Sequence, residues 1–183
     1  MKKILIILFA ILCIPLSSYA ITLSTLHNNQ DRYLKVDEDS TGAMYLDTYS
    51  VKSIRYSPPY YTLSAKTYFV LYPYDYIILC TQTFNYDYNY SMQSTLTRIV
   101  SDMNQNDEAL DDDVVISRAQ AAVQENSGIT YSMTFLASWK FNRHNGQLLK
   151  EPAHEPISDD ATYPERPYWM AQAVFKTYYN QDF

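Results

Sequence analysis

Glycine is scarce in this sequence, which has three glycines among 183 residues. Loops that hold phosphate through backbone amides depend on glycine, because other residues rarely adopt the backbone conformations that such loops need. The motifs G-x-G-x-x-G, G-x-x-x-x-G-K-[ST], G-x-S-x-G, H-E-x-x-H and paired C-x-x-C are all missing from the sequence. The sequence therefore gives no support for a nucleotide-binding fold or for the common hydrolase and zinc-peptidase sites, and we predict no cofactor.

Long apolar runs are also missing, apart from one near the start of the chain. Residues 4–16 are apolar, two lysines precede them, and Ser18-Tyr19-Ala20 follows as a small-x-small cleavage site. This order is typical of a secretory signal peptide over residues 1–20, with a mature chain that begins near Ile21. The alternative is an uncleaved membrane anchor, which needs about 20 apolar residues. Only roughly 13 are present, so we favour cleavage.

Cysteine and positive charge are both in short supply after the predicted signal peptide. Cys80 is the one cysteine left, so no internal disulfide can form, and its apolar neighbours indicate a buried, inert thiol rather than a reactive one. The formal net charge is −6 for the whole sequence, and it becomes more negative without the two signal-peptide lysines. An acidic chain repels phosphate groups, so we predict no nucleic-acid partner and no membrane insertion after signal cleavage. The predicted location is secreted or periplasmic.

The strongest secondary-structure pattern is the alternation of apolar and polar residues from Ile129 to Arg143. This period of two predicts a long central strand of an antiparallel sheet, with one face in a core and the other face in water. The residues expected on the buried face are Ile129, Tyr131, Met133, Phe135, Ala137, Trp139 and Phe141.

Shorter alternating segments predict two hairpins before this strand. The first joins residues 32–36 to residues 43–47, and the second joins residues 62–72 to residues 76–90 through a proline-containing turn. Because Ser57-Pro58-Pro59 would interrupt a ladder of backbone hydrogen bonds, we expect residues 48–60 to form a connection.

Helical spacing appears in two places, and the segments between the elements are polar or rich in proline. Helices are predicted near residues 114–126 and near residues 167–181. Residues 150–167 are expected to form an irregular connection, and the polar stretch around His27 to be disordered. The predicted fold is thus an α+β domain over residues 21–183, with both helices packed on an antiparallel sheet.

Three tyrosines near the end of the second hairpin are candidates for ligand or partner binding. Tyr86, Tyr88 and Tyr90 alternate with polar residues, and tyrosine offers a large rigid surface with a polar tip for contact with a protein or a glycan. The alternative is that these rings cover the sheet beneath a helix.

An acidic segment before the first predicted helix has the spacing of a calcium-binding loop. Asp102, Asn104, Asn106 and Asp113 occupy positions 1, 3, 5 and 12 of such a loop. Asp107 replaces the glycine that makes the sharp turn, and Asp113 is shorter than the usual glutamate. The alternative is a solvated loop in which Asp113 caps the next helix.

Two further groups of polar residues were considered as sites. His144 and His154, with Glu151 and Glu155, could form a zinc site but lie on a segment broken by prolines. An acid-base pair of Asp47 and Glu38 can be drawn, although nothing singles these two acids out. We therefore predict a non-enzymatic binding or structural module, with a secreted enzyme that uses carboxylates in a cleft as the alternative.

Residues 32–37 (RYLKVD) and 42–51 (GAMYLDTYSV) resemble small secreted proteins of the bacterial envelope, of the surface-adhesin protein E type. In that family a first strand leads through an acidic turn to an aromatic-aliphatic-Asp-x-x-Ser run. The resemblance covers roughly residues 32–72 and implies an antiparallel sheet with a packed helix, and a role in host-surface binding or no assigned role. The chain departs from the family in lacking paired cysteines and in inserting residues 91–126, and no binding residue is carried over from it.

Overall fold

The computed structural model describes residues 21–140 and 155–183. These residues form a six-stranded antiparallel sheet in which each strand pairs with the next along the chain, and helices pack on the sheet. The predicted α+β class is therefore confirmed. The predicted signal peptide lies outside the described residues. In chain order the elements are α1 (Leu23–Asn28), β1 (Tyr33–Glu38), β2 (Gly42–Ser57), β3 (Tyr60–Leu71), β4 (Tyr76–Asp87), α2 (Met92–Gln105), α3 (Asp112–Glu125), β5 (Ile129–Lys140), β6 (Ile157–Asp160) and α4 (Arg166–Tyr179).

Strand β2 is longer than the sequence predicted, and the connection expected over residues 48–60 is wrong. The strand continues to Ser57, which pairs with Tyr60 at the start of β3. Pro58 and Pro59 occupy the tight turn between these two residues, so neither proline has to donate a hydrogen bond to the ladder.

Residues 48–51 form a bulge within β2. Asp47 pairs with Lys66, but the next paired residues are Lys52 and Ser64, so the intervening part of β2 has extra residues. The hydroxyl of Ser50 closes the bulge: it donates to the carbonyl of Asp47 at 2.6 Å and accepts from the amide of Lys66 at 2.7 Å. The Asp-x-x-Ser run of the sequence thus has a structural role in shaping β2.

Strand β5 begins at Ile129 as predicted, but its alternation changes phase at Leu136. Phe135 pairs with Cys80 and Ala137 pairs with Leu79, so Leu136 is an extra residue in β5. Because paired residues share a face, Ala137 and Trp139 lie on the opposite face from Ile129 and Phe135. The prediction of a single apolar face is wrong beyond Phe135. Among the described residues, β6 pairs with β5 over residues 130–133, so this part of β5 is interior. The predicted extension beyond Lys140 lies outside the described residues.

The two faces of the sheet carry separate hydrophobic cores. Helix α4 covers the first core, and the side chains of Val174 and Phe175 are fully buried there. Helix α1 covers the second core with Leu26, whose burial contributes about 1.5–3 kcal/mol to the free energy of unfolding. The first core includes Met44, Leu46, Leu63, Phe84, Tyr86, Ile129, Tyr168, Met170 and Phe183, and the second includes Tyr33, Tyr45, Tyr68, Val70, Ile77 and Trp139.

The N-terminal stretch around His27 is ordered, contrary to the prediction. Thr22 caps α1 by accepting a hydrogen bond from the amide of Thr25 at 3.0 Å. The indole of Trp139 donates to the carbonyl of Ile21 at 2.6 Å. Polar residues are common in the segment, but Leu26 is buried in the second core, Ile21 and Leu23 pack against it, and the hydrogen bond from Trp139 adds a further contact.

Both predicted helices are present, within one or two residues of their expected ends, and a further helix was missed. Helix α3 is capped by Asp111, which accepts from the amides of Asp113 and Val114. No helix was predicted in the polar residues 91–113, but Met92–Gln105 form α2. This helix packs on α3 and fully buries only Thr95 and Met103. Its few apolar residues follow helical spacing, but most of the segment is polar, and the helix was missed for that reason.

Candidate binding cleft beside Tyr90

A polar cleft lies at the end of the sheet where β4 and β6 end and β5 begins. The C-terminal end of α3 forms one wall of the cleft, and its volume is about 650 Å³. Volumes of this size are typical of small-molecule and cofactor sites. The lining residues are Asp87, Tyr90, Gln124, Glu125, Asn126, Ser127, Gly128, Ile129, Thr130, Asp160 and Thr162. We call this feature the Tyr90 cleft.

The turn that carries Tyr90 is fixed by hydrogen bonds. The carboxylate of Asp87 accepts from the amide of Asn89 at 3.1 Å, and the amide of Ser91 donates to the carbonyl of Tyr88 at 3.1 Å. The amide of Asp87 donates across the cleft wall to the carbonyl of Gly128 at 2.8 Å. These bonds join the end of β4 to the loop between α3 and β5.

That loop is held by its own side chains. The amide oxygen of Asn126 accepts from the amide of Gly128 at 2.9 Å, and the hydroxyl of Ser127 accepts from the amide of Ile129 at 3.2 Å. Gly128 has a φ of 68°, and a Cβ atom there would lie 2.6 Å from the Cβ of Tyr90 and 2.7 Å from the carbonyl oxygen of Asp87. Glycine is required at this position because the two walls of the cleft touch there.

The three tyrosines predicted to form one contact surface do not share a surface. Tyr86 is 2% exposed, its hydroxyl donates to the carbonyl of Ala171 at 2.9 Å, and burial raises its pKa well above the ordinary value. Tyr88 is half-buried against Phe175 and Phe183.

Tyr90 differs from the other two tyrosines, because it is 37% exposed and lines the cleft. Strand β4 ends at Asp87, and a single helical turn over Tyr88–Tyr90 replaces the predicted alternation. That Tyr90 binds a ligand or a partner stays a prediction. Tyr86 is buried, so its ring cannot contact a partner.

The chemistry of the cleft is polar and acidic. Asp87, Glu125 and Asp160 provide carboxylates, Gln124 and Asn126 provide amides, and no lysine, arginine or histidine is among the described lining residues. Carboxylates accept hydrogen bonds, and side-chain amides both donate and accept them. The cleft is therefore suited to a ligand that is neutral or positively charged and carries many hydroxyl groups.

The segment predicted to bind calcium is not a loop. Asp102 and Asn104 lie in α2, Asn106 caps its C-terminal end by donating to the carbonyl of Asp102 at 2.9 Å, and Asp113 lies in α3. Residues two apart on a helix point in different directions, so these side chains cannot surround one ion. Among the described residues, no group of three or more histidine, cysteine, aspartate or glutamate side chains could hold a metal ion.

The remaining candidate groups do not form sites in the described structure. His144, Glu151 and His154 lie outside the described residues, and Glu155 is exposed beside β6. Glu38 pairs with Lys35 at 2.6 Å, whereas Asp47 lies towards the other end of the β1–β2 ladder. The acid-base pair of Asp47 and Glu38 is therefore not assembled.

Cys80 is 2% exposed, as predicted for an inert thiol. Burial raises the pKa of this thiol to about 11, so it is protonated at neutral pH.

Sequence reasoning found Tyr90 but missed the other lining residues of the cleft. They come from the end of β4, the end of α3, the following loop, the start of β5, and the segment that carries Asp160 and Thr162. The run Glu125-Asn126-Ser127-Gly128 was a detectable signal for a polar turn at this place. No helix in the described part of the chain has the length and apolar character needed to cross a membrane. Comparison with protein-family models, with curated proteins and with solved structures found no match for this chain.

Proposed function

We propose that this chain is an exported, non-enzymatic binding module of the bacterial cell envelope that binds a neutral, hydroxyl-rich ligand in the Tyr90 cleft. A glycan segment is the ligand of this chemistry that an envelope protein meets most readily. The observation that carries the proposal is the position of Tyr90, a partly exposed ring at the edge of a cleft lined by carboxylates and amides.

The composition of the cleft fits a sugar in two ways. A sugar ring has an apolar face that can pack on a tyrosine ring, and hydroxyl groups at its edge that donate to carboxylates and accept from amides. The NH₂ group of Asn126 has no hydrogen-bond partner within the described residues, because the fold uses only the oxygen of that side chain. Hydrogen bonds to ionised carboxylates are stronger than those between neutral groups, so the carboxylates of Glu125 and Asp160 favour hydroxyl donors.

The fold supports a preformed site rather than one assembled by the ligand. Asp87 accepts a hydrogen bond from the amide of Asn89 and donates one to the carbonyl of Gly128, and these two bonds fix both walls of the cleft. Such preorganisation lowers the entropy lost on binding.

The second candidate function is a secreted enzyme, which the three carboxylates of the same cleft favour.

Binding and catalysis can be separated by one set of experiments on the mature chain. Immobilised neutral oligosaccharides identify a bound glycan, and titration calorimetry then compares the unmodified protein with Tyr90→Ala and with Tyr74→Ala. Tyr74 is a matched control because it is 67% exposed in the turn between β3 and β4, away from the cleft.

We expect Tyr90→Ala to weaken binding by roughly tenfold, since stacking on an aromatic ring is worth about 1 kcal/mol or more. Tyr74→Ala should bind as the unmodified protein does. Equal affinities of the two variants, or no binding to any neutral oligosaccharide, would contradict the proposal. Cleavage of the bound oligosaccharide, detected by mass spectrometry and lost in Asp160→Asn, would establish the enzyme instead.

Export is part of the proposal and has its own test. The described structure includes Ile21, whose carbonyl accepts the hydrogen bond from Trp139, so a chain that starts there keeps this contact with the second core. Mass spectrometry of protein from the periplasm or the culture medium should give an N-terminus at Ile21. An N-terminus at Met1 would show that the segment is retained.

A further inference from the structure

A second cleft lies on β2 and β3, on the sheet face that carries the second core. Its volume is about 310 Å³, and the bulge of β2 forms one of its walls. The lining residues are Arg32, Asp47, Tyr49, Ser50, Lys52, Ser64, Ala65, Lys66 and Thr81. We call this feature the Arg32 cleft.

The guanidinium of Arg32 is held in one position at this cleft. Its Nε and one of its terminal nitrogens each donate to a different carboxylate oxygen of Asp47, both at 3.2 Å. The rings of Tyr33 and Tyr49 lie 5.1 Å and 5.7 Å from the guanidinium carbon. Asp47 is 3% exposed, whereas the side chain of Arg32 is 48% exposed. A buried carboxylate and two aromatic rings therefore orient a cation that still faces solvent.

Two lysines add positive charge that no carboxylate of the described residues neutralises. Lys66 pairs with Asp47 in the β2–β3 ladder, and the bulge brings Lys52 beside Ser64. Both lysines are exposed, and within residues 21–140 and 155–183 neither has a carboxylate within 4.0 Å. Arg32 already occupies both oxygens of Asp47.

The charge of the Arg32 cleft is opposite to that of the chain. Three cationic side chains and one carboxylate line it, while the whole sequence has a net charge of −6. In an acidic protein this concentration of positive charge creates a local potential that attracts anions. Arginine and lysine are the side chains that bind phosphate, sulfate and carboxylate groups, and the hydroxyl of Thr81 adds a hydrogen-bond donor.

We propose that the Arg32 cleft binds a small soluble tetrahedral oxyanion, phosphate or sulfate. The oriented guanidinium supplies its remaining N–H donors, and Lys52 and Lys66 supply the balancing charge. The concave wall formed by the β2 bulge suits a compact ligand rather than a flat surface. This site is separate from the Tyr90 cleft and does not depend on the function proposed for it.

Titration calorimetry with sodium phosphate and with sodium sulfate tests the proposal, with ionic strength held constant by sodium chloride. The test variant is Lys52→Gln/Lys66→Gln, which leaves the pair of Arg32 and Asp47 in place. The matched control is Arg98→Gln/Lys140→Gln, which removes the same charge from α2 and from the end of β5. Circular dichroism confirms that each variant is folded.

We expect saturable binding of at least one of the two anions, and a loss of affinity of about tenfold in the test variant, because both lysine charges that face the anion are removed. The control should bind as the unmodified protein does. Equal losses in both variants would show a response to overall charge, and the absence of saturable binding would also overturn the proposal. A parallel assay with phosphatidylglycerol vesicles distinguishes the source of the anion. Retention on vesicles without binding of free phosphate or sulfate would assign the cleft to a lipid headgroup and overturn the small-ligand proposal.

Discussion

Replacing Arg32 by methionine should destabilise the fold, because the change leaves the carboxylate of Asp47 buried without its cation. Removing one partner of a buried ion pair costs about 3–5 kcal/mol. Here Asp47 is 3% exposed but the side chain of Arg32 is about half exposed, so water that enters the vacated space solvates part of the carboxylate. We therefore expect a loss of about 2 kcal/mol, below the range for a fully buried pair.

Urea unfolding followed by circular dichroism measures this loss, and thermal unfolding should show a decrease in Tm of about 4–8 °C for a domain of this size. The double variant Arg32→Met/Asp47→Asn removes the uncompensated charge and should be more stable than Arg32→Met alone. Arg55→Met is the matched control, because Arg55 lies on β2, contacts the ring of Tyr60 at 5.7 Å and is exposed.

The control should change stability by less than about 0.5 kcal/mol. Two results would refute the reasoning. One is an Arg32→Met variant within about 0.5 kcal/mol of the unmodified protein, and the other is a double variant no more stable than Arg32→Met.

Two further predictions concern backbone conformation and pH. Gly128→Ala should destabilise the protein by about 1–3 kcal/mol, because alanine is strained at a positive φ and its Cβ would clash with Tyr90; an unchanged Tm would contradict this. The side-chain and backbone hydrogen bonds from Thr41 lower the pKa of Asp39 from 3.8 to about 2. Because the pKa is lower in the folded state, the stabilisation is present above about pH 4 and is lost as the pH falls towards 2. Urea unfolding between pH 2 and pH 5 should therefore show a steeper loss of stability for the unmodified protein than for Asp39→Asn, and equal slopes would count against the assignment.

Periodicity was sufficient to predict the elements that bury one continuous face. In α4 the residues Tyr168, Ala171 and Phe175 follow helical spacing and are all buried in the first core. The start of β5 and most of β4 follow strand spacing in the same way. These elements pack along most of their length, so the spacing of their apolar residues indicates which side faces the core.

Bulges are the reason that other details could not be predicted. In the sequence of β5, Leu136 alone interrupts the alternation, and the apolar residues keep the same spacing on both sides of it; in the structure the extra residue there moves Trp139 to the other face of the sheet. In β2, residues 48–51 are accommodated by the hydroxyl of Ser50 rather than by a turn. A bulge depends on the register of the partner strand, and a pattern read along one strand contains no information about that register.

The candidate cleft was predictable only in part. Tyr90 was named as a contact residue from its aromatic character, but Tyr86 was grouped with it although it lies in the first core. The difference arises at Asp87, where the strand ends and the chain turns. Asp160 lines the cleft because β6 pairs with β5. In this pairing Asp160 lies opposite Thr130, which is 30 residues earlier in the sequence.

The order of the strands has a consequence for when the protein can fold. Ribosomes make the chain from its N-terminus, so all six strands are complete before α4 exists. Until then the core around Met44, Leu63 and Phe84 lacks the buried side chains of α4 and of Phe183, which binds Gln172 through two hydrogen bonds. Exposed apolar strands aggregate readily. Native packing of the first core therefore follows the synthesis of α4, and the apolar face of the nascent sheet is exposed to aggregation until that helix docks.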